Sequence, residues 1–181
     1  MRRLAGAVGL SKSALYEHFA SKEELQLAVI GHGRDVFEAE VVDDRHDDAQ
    51  GGLGALLERW LAFFQTEVFP GGCFFFPSAV DFANRPGRIR DALEKALDRE
   101  VEVLETAIRQ AREAGELHIE KDASQTAFEL HAILMHAHAL FQVKRLPRVF
   151  ERARAALHDV LEVSDGSPSM SRRGTSAAAL S

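Results

Sequence analysis

The stretch LAGAVGLSKSALYEHF, residues 4–19, decides how the N-terminal end of the chain folds. Gly9 permits a tight turn that a β-carbon would penalise, and Ser11 is a good N-cap for a helix that follows the turn. The apolar residues recur at the spacing that two short crossed helices need, namely Leu4, Val8, Leu10, Leu15 and Phe19. The stretch therefore predicts a helix-turn-helix, with helices near residues 2–8 and 12–18.

The second helix of a helix-turn-helix places its N-terminal part in the major groove of DNA. In this chain that part presents Lys12, Ser13 and Tyr16. A longer helix is predicted to begin at Ser21, because Ser21-Lys22-Glu23-Glu24 has the capping-box pattern, and to run to about residue 42. The alternative interpretation is a helical hairpin with a solvated basic face and no DNA contact.

Three motifs in this segment resemble the TetR family of transcription regulators. They are Gly9-Leu10-Ser11, Leu15-Tyr16-Glu17-His18-Phe19 and Ser21-Lys22-Glu23-Glu24-Leu25. The resemblance implies that Tyr16, His18 and Lys22 hold phosphates while Lys12 and Ser13 approach base edges. The DNA-binding residues expected from it are Ser11, Lys12, Ser13, Tyr16, His18 and Lys22.

The family has a further helix before the first one seen here, and this sequence starts inside that core at Met1-Arg2-Arg3. The expectation is a DNA-binding domain that is truncated at its N-terminus, which leaves two functions open. One is a ligand-responsive repressor that binds a palindromic operator as a homodimer. The other is a relative without DNA binding that acts as a ligand-binding or dimerisation module. Helical, basic sequence encoded in frame upstream would favour the first, and an upstream stop codon the second.

Helical spacing continues through the rest of the chain, where strand signals are almost absent. Helices are predicted near 53–68, near 77–84, after Pro86-Gly87 up to Gly115, from Asp122 to about Val143, and from Pro147 to about Val163. The fold class is therefore all-α. The predicted organisation is an incomplete helix-turn-helix domain with its connecting helix at 1–42, a ligand-binding and dimerisation domain at 43–163, and a disordered tail at 164–181.

Composition excludes several classes of function. The chain has 181 residues, one cysteine and a net charge of −6, which argues against general binding to polyanions. Cys73 alone cannot form an intramolecular disulfide, and with no targeting or membrane-spanning segment in view the chain is expected in the cytoplasm. It has no glycine-rich phosphate loop, nucleophile elbow or paired carboxylates, so we expect neither an enzyme nor a bound cofactor.

Residues 126–143, TAFELHAILMHAHALFQV, form a predicted helix that is apolar nearly all round and must be covered on most sides. A second copy of the chain is the simplest cover, although a buried helix of a monomer remains the alternative. In TetR-like proteins the last two long helices pair with their mates, and this pair resembles them. The expected interface residues are Phe128, His131, Leu134, Phe150, Ala153 and Leu157.

Aromatic residues concentrate between Trp60 and Phe82, and most such clusters are core. Phe74, Phe75 and Phe76 are consecutive, so they cannot all face one way on a helix. The resemblance implies a cavity for a small apolar effector within the C-terminal domain. The residues expected to line it are Trp60, Phe64, Phe75, Met135 and His138.

Three histidines, His131, His136 and His138, raise the question of a metal site. Metal-binding pairs on one helix usually sit four residues apart, and no carboxylate or thiolate lies beside these in sequence. We therefore expect structural or pocket-lining histidines and no metal. Cys73 as an oxidant sensor is disfavoured, because no resolving cysteine or flanking positive charge is visible.

Overall fold

The computed structural model describes residues 19–43, 52–66, 68–69, 72–118 and 121–162, and all regular structure in these ranges is helical. Within these described ranges, six α-helices and one π-helical turn follow one another. They are α1 (Lys22–Phe37), the π turn (Glu38–Val42), α2 (Leu53–Thr66), α3 (Phe75–Phe82), α4 (Arg88–Glu113), α5 (Ala123–Lys144) and α6 (Arg148–Glu162). The all-α prediction is confirmed. The predicted helices at 2–8 and 12–18 and the predicted tail at 164–181 lie outside the described residues.

Helix α1 begins where the capping motif predicts. The Ser21 hydroxyl accepts a hydrogen bond from the Glu24 N–H at 3.1 Å, which satisfies one donor of the first turn. The Glu24 carboxylate accepts a bond from Arg88 at the start of α4, at 2.5 Å, a contact that the sequence did not predict. The helix ends in the π turn, whose wider spacing is marked by the Asp43 N–H donating to the Glu38 carbonyl.

Helix α3 begins two residues earlier than predicted, at Phe75 instead of Pro77. Pro77 then falls in the first turn, where the missing N–H costs no helical hydrogen bond. The three consecutive phenylalanines separate as their spacing requires, since Phe75 is buried, Phe74 half-buried and Phe76 exposed.

Helix α4 is the longest element, and Gly115 ends it in the left-handed conformation at φ +74°. Helical spacing predicts a buried apolar stripe on this helix, consisting of Ile89, Leu93, Leu97, Val101, Leu104, Ile108 and Ala111. The observed buried face differs, because Leu97 and Val101 are only half-buried while Ala96, Glu100 and Val103 are buried. The difference is a small rotation of the helix about its axis. It brings one acidic residue, Glu100, into the core.

Helices α5 and α6 form the C-terminal pair. Asp122 caps α5 by accepting from the Gln125 N–H at 3.4 Å, as the sequence predicts. Helix α5 ends at Lys144, and Arg145 follows in the left-handed conformation at φ 51°. Pro147 stands immediately before α6 instead of inside its first turn, and its carbonyl accepts from the Phe150 N–H at 2.9 Å.

The helices pack around α4, which contacts α1, α2, α3 and α5, and α6 packs on α5. The largest fully buried side chains include Trp60 and Phe64 from α2, Leu104 from α4, Leu134 from α5 and Phe150 from α6. One apolar core therefore joins the connecting helix α1 to the C-terminal pair. A movement of α1 relative to α4 must alter that core.

Candidate functional site

A buried polar cluster lies in this core and consists of Glu100, His131 and Cys73. Glu100 on α4 is 0% exposed. One of its carboxylate oxygens lies 2.8 Å from Nε2 of His131 on α5. The other accepts a long, weak hydrogen bond from the Cys73 thiol at 3.9 Å. A buried carboxylate is costly unless it is paired, so burial and these two contacts together determine how readily Glu100 ionises.

The protonation states in this region follow from burial. Burial raises the pKa of Glu100, because the charged carboxylate loses water, and the hydrogen bond and charge of His131 oppose that rise. Burial also raises the pKa of the Cys73 thiol, and the nearby Glu100 carboxylate raises it further. Cys73 is thus a protonated thiol with little nucleophilic character.

A chain of aromatic contacts leads from this cluster through the core. The Trp60 ring lies 6.2 Å from the His131 ring and 4.9 Å from the Phe37 ring, measured between centroids. Phe63 then links Phe37 to Phe64, and the Phe64 ring lies 4.6 Å from the His138 ring. Two histidines of α5, seven residues apart, therefore each contact an aromatic ring of α2.

Gly72 fixes the segment before α3 against α5. Its φ is +73°, and a β-carbon there would come within 2.5 Å of both the His138 ring and the Gln142 amide. Gly72 is therefore required for both its backbone conformation and its close approach. Burial lowers the pKa of the adjacent His138, so this histidine is a neutral hydrogen-bonding group at neutral pH.

The five residues expected to line an effector cavity all lie in the core. Trp60, Phe64, Phe75, Met135 and His138 are each no more than 5% exposed. Trp60 and Phe64 touch the α5 histidines, and Phe75 belongs to the same aromatic chain through Phe74. Contact with an effector stays a prediction for all five.

Two grooves lie away from these five residues. One of about 680 Å³ runs between the π turn, α2 and the C-terminal half of α4, and includes Leu56, Arg59, Arg99 and Ala107. Its arginines are engaged, since Arg59 donates to the Val41 carbonyl at 2.9 Å and Arg99 pairs with Glu38 at 2.7 Å. These bonds attach the π turn to α2 and α4.

The second groove, of about 480 Å³, lies between α5 and α6 and has an apolar floor with basic residues along it. It includes Ala132 and His136 of α5 and Arg152 and Ala153 of α6. Of the six expected interface residues, Ala153 lines this groove and Phe128 is 66% exposed. Leu134, Phe150 and Leu157 are buried within the chain itself and His131 faces Glu100, so their role in an interface stays a prediction.

The predicted DNA-contacting end is described only at its last residue. Lys22 is exposed at the first turn of α1, and Ser11, Lys12, Ser13, Tyr16 and His18 lie outside the described residues. Beside Lys22, Arg88 of α4 lies 3.6 Å from the Glu23 carboxylate as well as 2.5 Å from that of Glu24. The body of the protein therefore contacts α1 close to its N-terminal end.

The three histidines that raised the question of a metal, His131, His136 and His138, all lie on α5. Across residues 19–43, 52–66, 68–69, 72–118 and 121–162, no group of three or more His, Cys, Asp or Glu side chains is arranged to hold a metal ion. His131 and Cys73 contact different oxygens of Glu100. In the same ranges, no helix is long and apolar enough to cross a membrane.

Glu100 is the residue that the sequence interpretation missed, because that interpretation considered only carboxylates beside the histidines in sequence. Glu100 stands 31 positions from His131, so sequence neighbours could not reveal the pair. A signal was present on α4 itself. Glu100 follows Ala96 by four residues and precedes Leu104 by four, which places it on the buried helix face.

Two family models match successive parts of the chain, one at the N-terminus and one in the C-terminal region. The model for the tetR family of bacterial regulatory proteins matches residues 1–29. The model described as the tetracyclin repressor-like C-terminal domain matches residues 51–157, which is more than half of the chain. No curated protein is similar enough in sequence to match.

Solved structures share the fold at low sequence identity. A TetR-family regulator from Cytophaga hutchinsonii superposes with a TM-score of 0.75 at 20% identity, covering 93% of this chain and 85% of that one. A TetR regulator from Haloarcula marismortui gives 0.74 at 18% identity, with 90% and 85% covered. AibR, solved with isovaleryl coenzyme A and operator DNA, gives 0.66 at 21% identity, with 88% and 85% covered.

Proposed function

This chain belongs to the TetR family of transcription regulators, which are non-enzymatic DNA-binding proteins, and from that premise we propose that it is a repressor acting as a homodimer on a palindromic operator. A small, largely apolar effector binds in the helical body and weakens operator binding. The site of action is the cytoplasm.

The main support for a dimer is the apolar character of the outer face of α5. Phe128 is 66% exposed and Val143 82%, with Ala132, His136 and Ala139 exposed between them. The groove beside α6 continues this apolar surface. Exposed apolar side chains that follow one another along a helix are typical of a surface that a partner covers, and an isologous partner would present the same face.

The palindromic operator follows from such a dimer. A two-fold axis through the α5–α6 faces relates two copies of the N-terminal segment, so that two equivalent half-sites are contacted. Lys12 and Ser13 would then approach bases and Tyr16, His18 and Lys22 phosphates in each half-site, as the family resemblance implies. Ser11 at the start of the recognition helix would support these contacts.

The effector is placed in the body because the aromatic core joins α1 to α5 through Phe37, Trp60 and His131. An effector that separates these rings would change the position of α1 and hence of the DNA-contacting segment, which is a coupling between two sites. AibR supports this arrangement to the extent that it was solved with both an acyl coenzyme A and operator DNA. Trp60, Phe64, Phe75, Met135 and His138 are the proposed effector contacts.

An electrophoretic mobility shift tests the proposal, with this chain and the DNA upstream of its own coding sequence. We expect a shift that Lys12→Ala and Tyr16→Ala each weaken by about tenfold or more, since one base or phosphate contact contributes roughly 1–3 kcal/mol. Lys95→Ala is the matched control, because Lys95 is exposed on α4 in the body.

Unchanged binding by the Lys12 and Tyr16 variants would contradict the contact assignment. A wild-type chain that is dimeric and gives no shift with this DNA would contradict the repressor. That result would favour the second function, a ligand-binding or dimerisation module without DNA binding.

A further inference from the structure

We propose that the effector carries a positive charge, held against Glu100, on an aromatic or apolar body that lies among Trp60 and its neighbouring rings. This inference rests on the proposed function, because it names the chemical class of the ligand for the same site. Two observations support the inference, namely the incomplete hydrogen bonding of the Glu100 carboxylate and the unpaired Nε1 of Trp60.

Glu100 is the only fully buried acidic side chain in the part of the chain that the structure describes. An ionised carboxylate accepts about four hydrogen bonds, and here one comes from His131 and a second, weak one from Cys73. His131 carries a charge only when it is protonated. The carboxylate therefore retains capacity for a further donor, and a cationic ligand would supply both the donor and the charge.

The Trp60 indole gives the second, independent observation. Its Nε1 is buried and has no hydrogen-bond partner, which is costly for a donor of this kind. The ring is 0% exposed and packs edge-on against Phe37 and His131. The unsatisfied buried donor and the under-satisfied carboxylate both belong to residues that contact the His131 ring, and such groups are typical of a site that a ligand completes.

The aromatic surroundings select the body of the ligand. Phe37, Trp60 and Phe63 present ring faces and edges within a continuous aromatic chain. Rings attract a cation through their quadrupole and pack well on a planar apolar group. A cation would offset the loss of water that raises the pKa of Glu100 and would favour its ionised form. A neutral ligand would gain the packing alone, and an anion would be repelled by the ionised carboxylate. Charge is therefore the property that discriminates between ligands here.

Three probes of one size test this inference, namely benzamidine, benzamide and benzoate, which are cationic, neutral and anionic at pH 7.5. Isothermal titration calorimetry of the full chain is expected to show benzamidine binding about tenfold tighter than benzamide, with benzoate weaker than both. Trp60 is the only tryptophan in the chain, so a change in its emission on adding benzamidine places the ligand beside that ring.

The variant Glu100→Gln removes the charge and keeps the shape. We expect its ratio of benzamidine to benzamide affinity to fall to about one. Glu105→Gln is the matched control on the same helix, because Glu105 pairs with Arg109 on the surface, and it should keep the wild-type ratio. Thermal melting of each variant checks that it is folded, and the wild-type ratio decides the question even where Glu100→Gln does not fold.

Equal binding of the three probes, no binding, or a preference that survives Glu100→Gln would overturn the inference. The operator mobility shift is measured on the same preparation. If the shift is present while the charge preference is absent, the charged effector is wrong and the repressor stands. If the shift itself is absent, the failure belongs to the proposed function.

Discussion

Helices α4 and α5 pack against each other, yet their outer faces are opposite in character. Every exposed side chain of α4 is polar, from Arg88 to Glu113. Along α5 the exposed positions between Gln125 and Lys144 are apolar apart from His136. The inner face of each helix is buried in the same core. The difference teaches that the outer face of α4 is suited to water, whereas α5 keeps an apolar outer face that the proposed dimer would cover.

The inner faces should respond alike, and their truncation is expected to have the largest effect. Leu104→Ala on α4 and Leu134→Ala on α5 each remove a side chain that is 0% exposed and leave a cavity. Each should lower the free energy of unfolding by about 2–5 kcal/mol in urea titrations. Leu97→Ala, at a half-buried position, is the control and should cost less. If either Leu104→Ala or Leu134→Ala lowered the free energy of unfolding by less than Leu97→Ala does, the inner faces of α4 and α5 would not be equivalent.

The outer faces should respond differently. Ala132→Asp places a charge on the apolar face of α5 and is expected to weaken self-association about 100-fold, since a buried unpaired charge costs several kcal/mol. Thr106→Asp places the same charge on the polar face of α4 and should leave it unchanged. Sedimentation velocity over a concentration series measures both. Equal effects, or none, would contradict a dimer formed through α5.

The buried polar residue of α4 predicts a pH dependence. Burial raises the pKa of Glu100 in the folded chain above its value of 4.5 in the unfolded chain. The folded state therefore binds the proton more tightly, and the stability from protonated Glu100 is lost as pH rises above 4.5. As the pH rises above 4.5, the free energy of unfolding of the wild type, measured by urea titration, should fall relative to that of Glu100→Gln. Parallel curves for the two proteins would show that His131 compensates fully for burial.

The smallest effect is expected on the outer face of α4. Arg109 pairs with Glu105 one turn earlier at 3.0 Å, with half of the Arg109 side chain exposed. Arg109→Gln should lower the free energy of unfolding by roughly 0.3–0.5 kcal/mol, and 1 M salt should abolish the difference. A loss above 1 kcal/mol would mean that this face has a partner after all, and the contrast with α5 would weaken.

The sequence predicted the elements well wherever a local motif defines them. The caps at Ser21 and Asp122 and the stop at Gly115 depend on side chains within four residues, so a short window contains them. The start of α3 was misplaced because Pro77 suits a first residue as well as a later position in the first turn. The order and type of the helices did not depend on that difference.

The candidate site was harder to predict because its contacts are distant in sequence. Aromatic content indicated that Trp60 and Phe64 lie in the core, but their histidine partners lie more than 70 residues away. Glu100 was overlooked because a charged residue is normally assigned to the solvent face. Only the packing of α4 on α5 brings its carboxylate to His131, and helical periodicity fixes the rotation of α4 less closely than that contact requires.

The π turn fixes the C-terminal end of α1 to the helical body, so any tilt of this helix would pivot about that end. Arg59 of α2 donates to the Val41 carbonyl of the π turn, and Arg99 of α4 pairs with its Glu38 carboxylate. At the opposite end of α1, the exposed Arg88 pairs with Glu24. Sixteen residues separate the pivot from the tip and span about 24 Å. A tilt of α1 by about 10° about the π turn would move Lys22 by roughly 4 Å, which exceeds the range of distances over which one hydrogen bond to a phosphate persists.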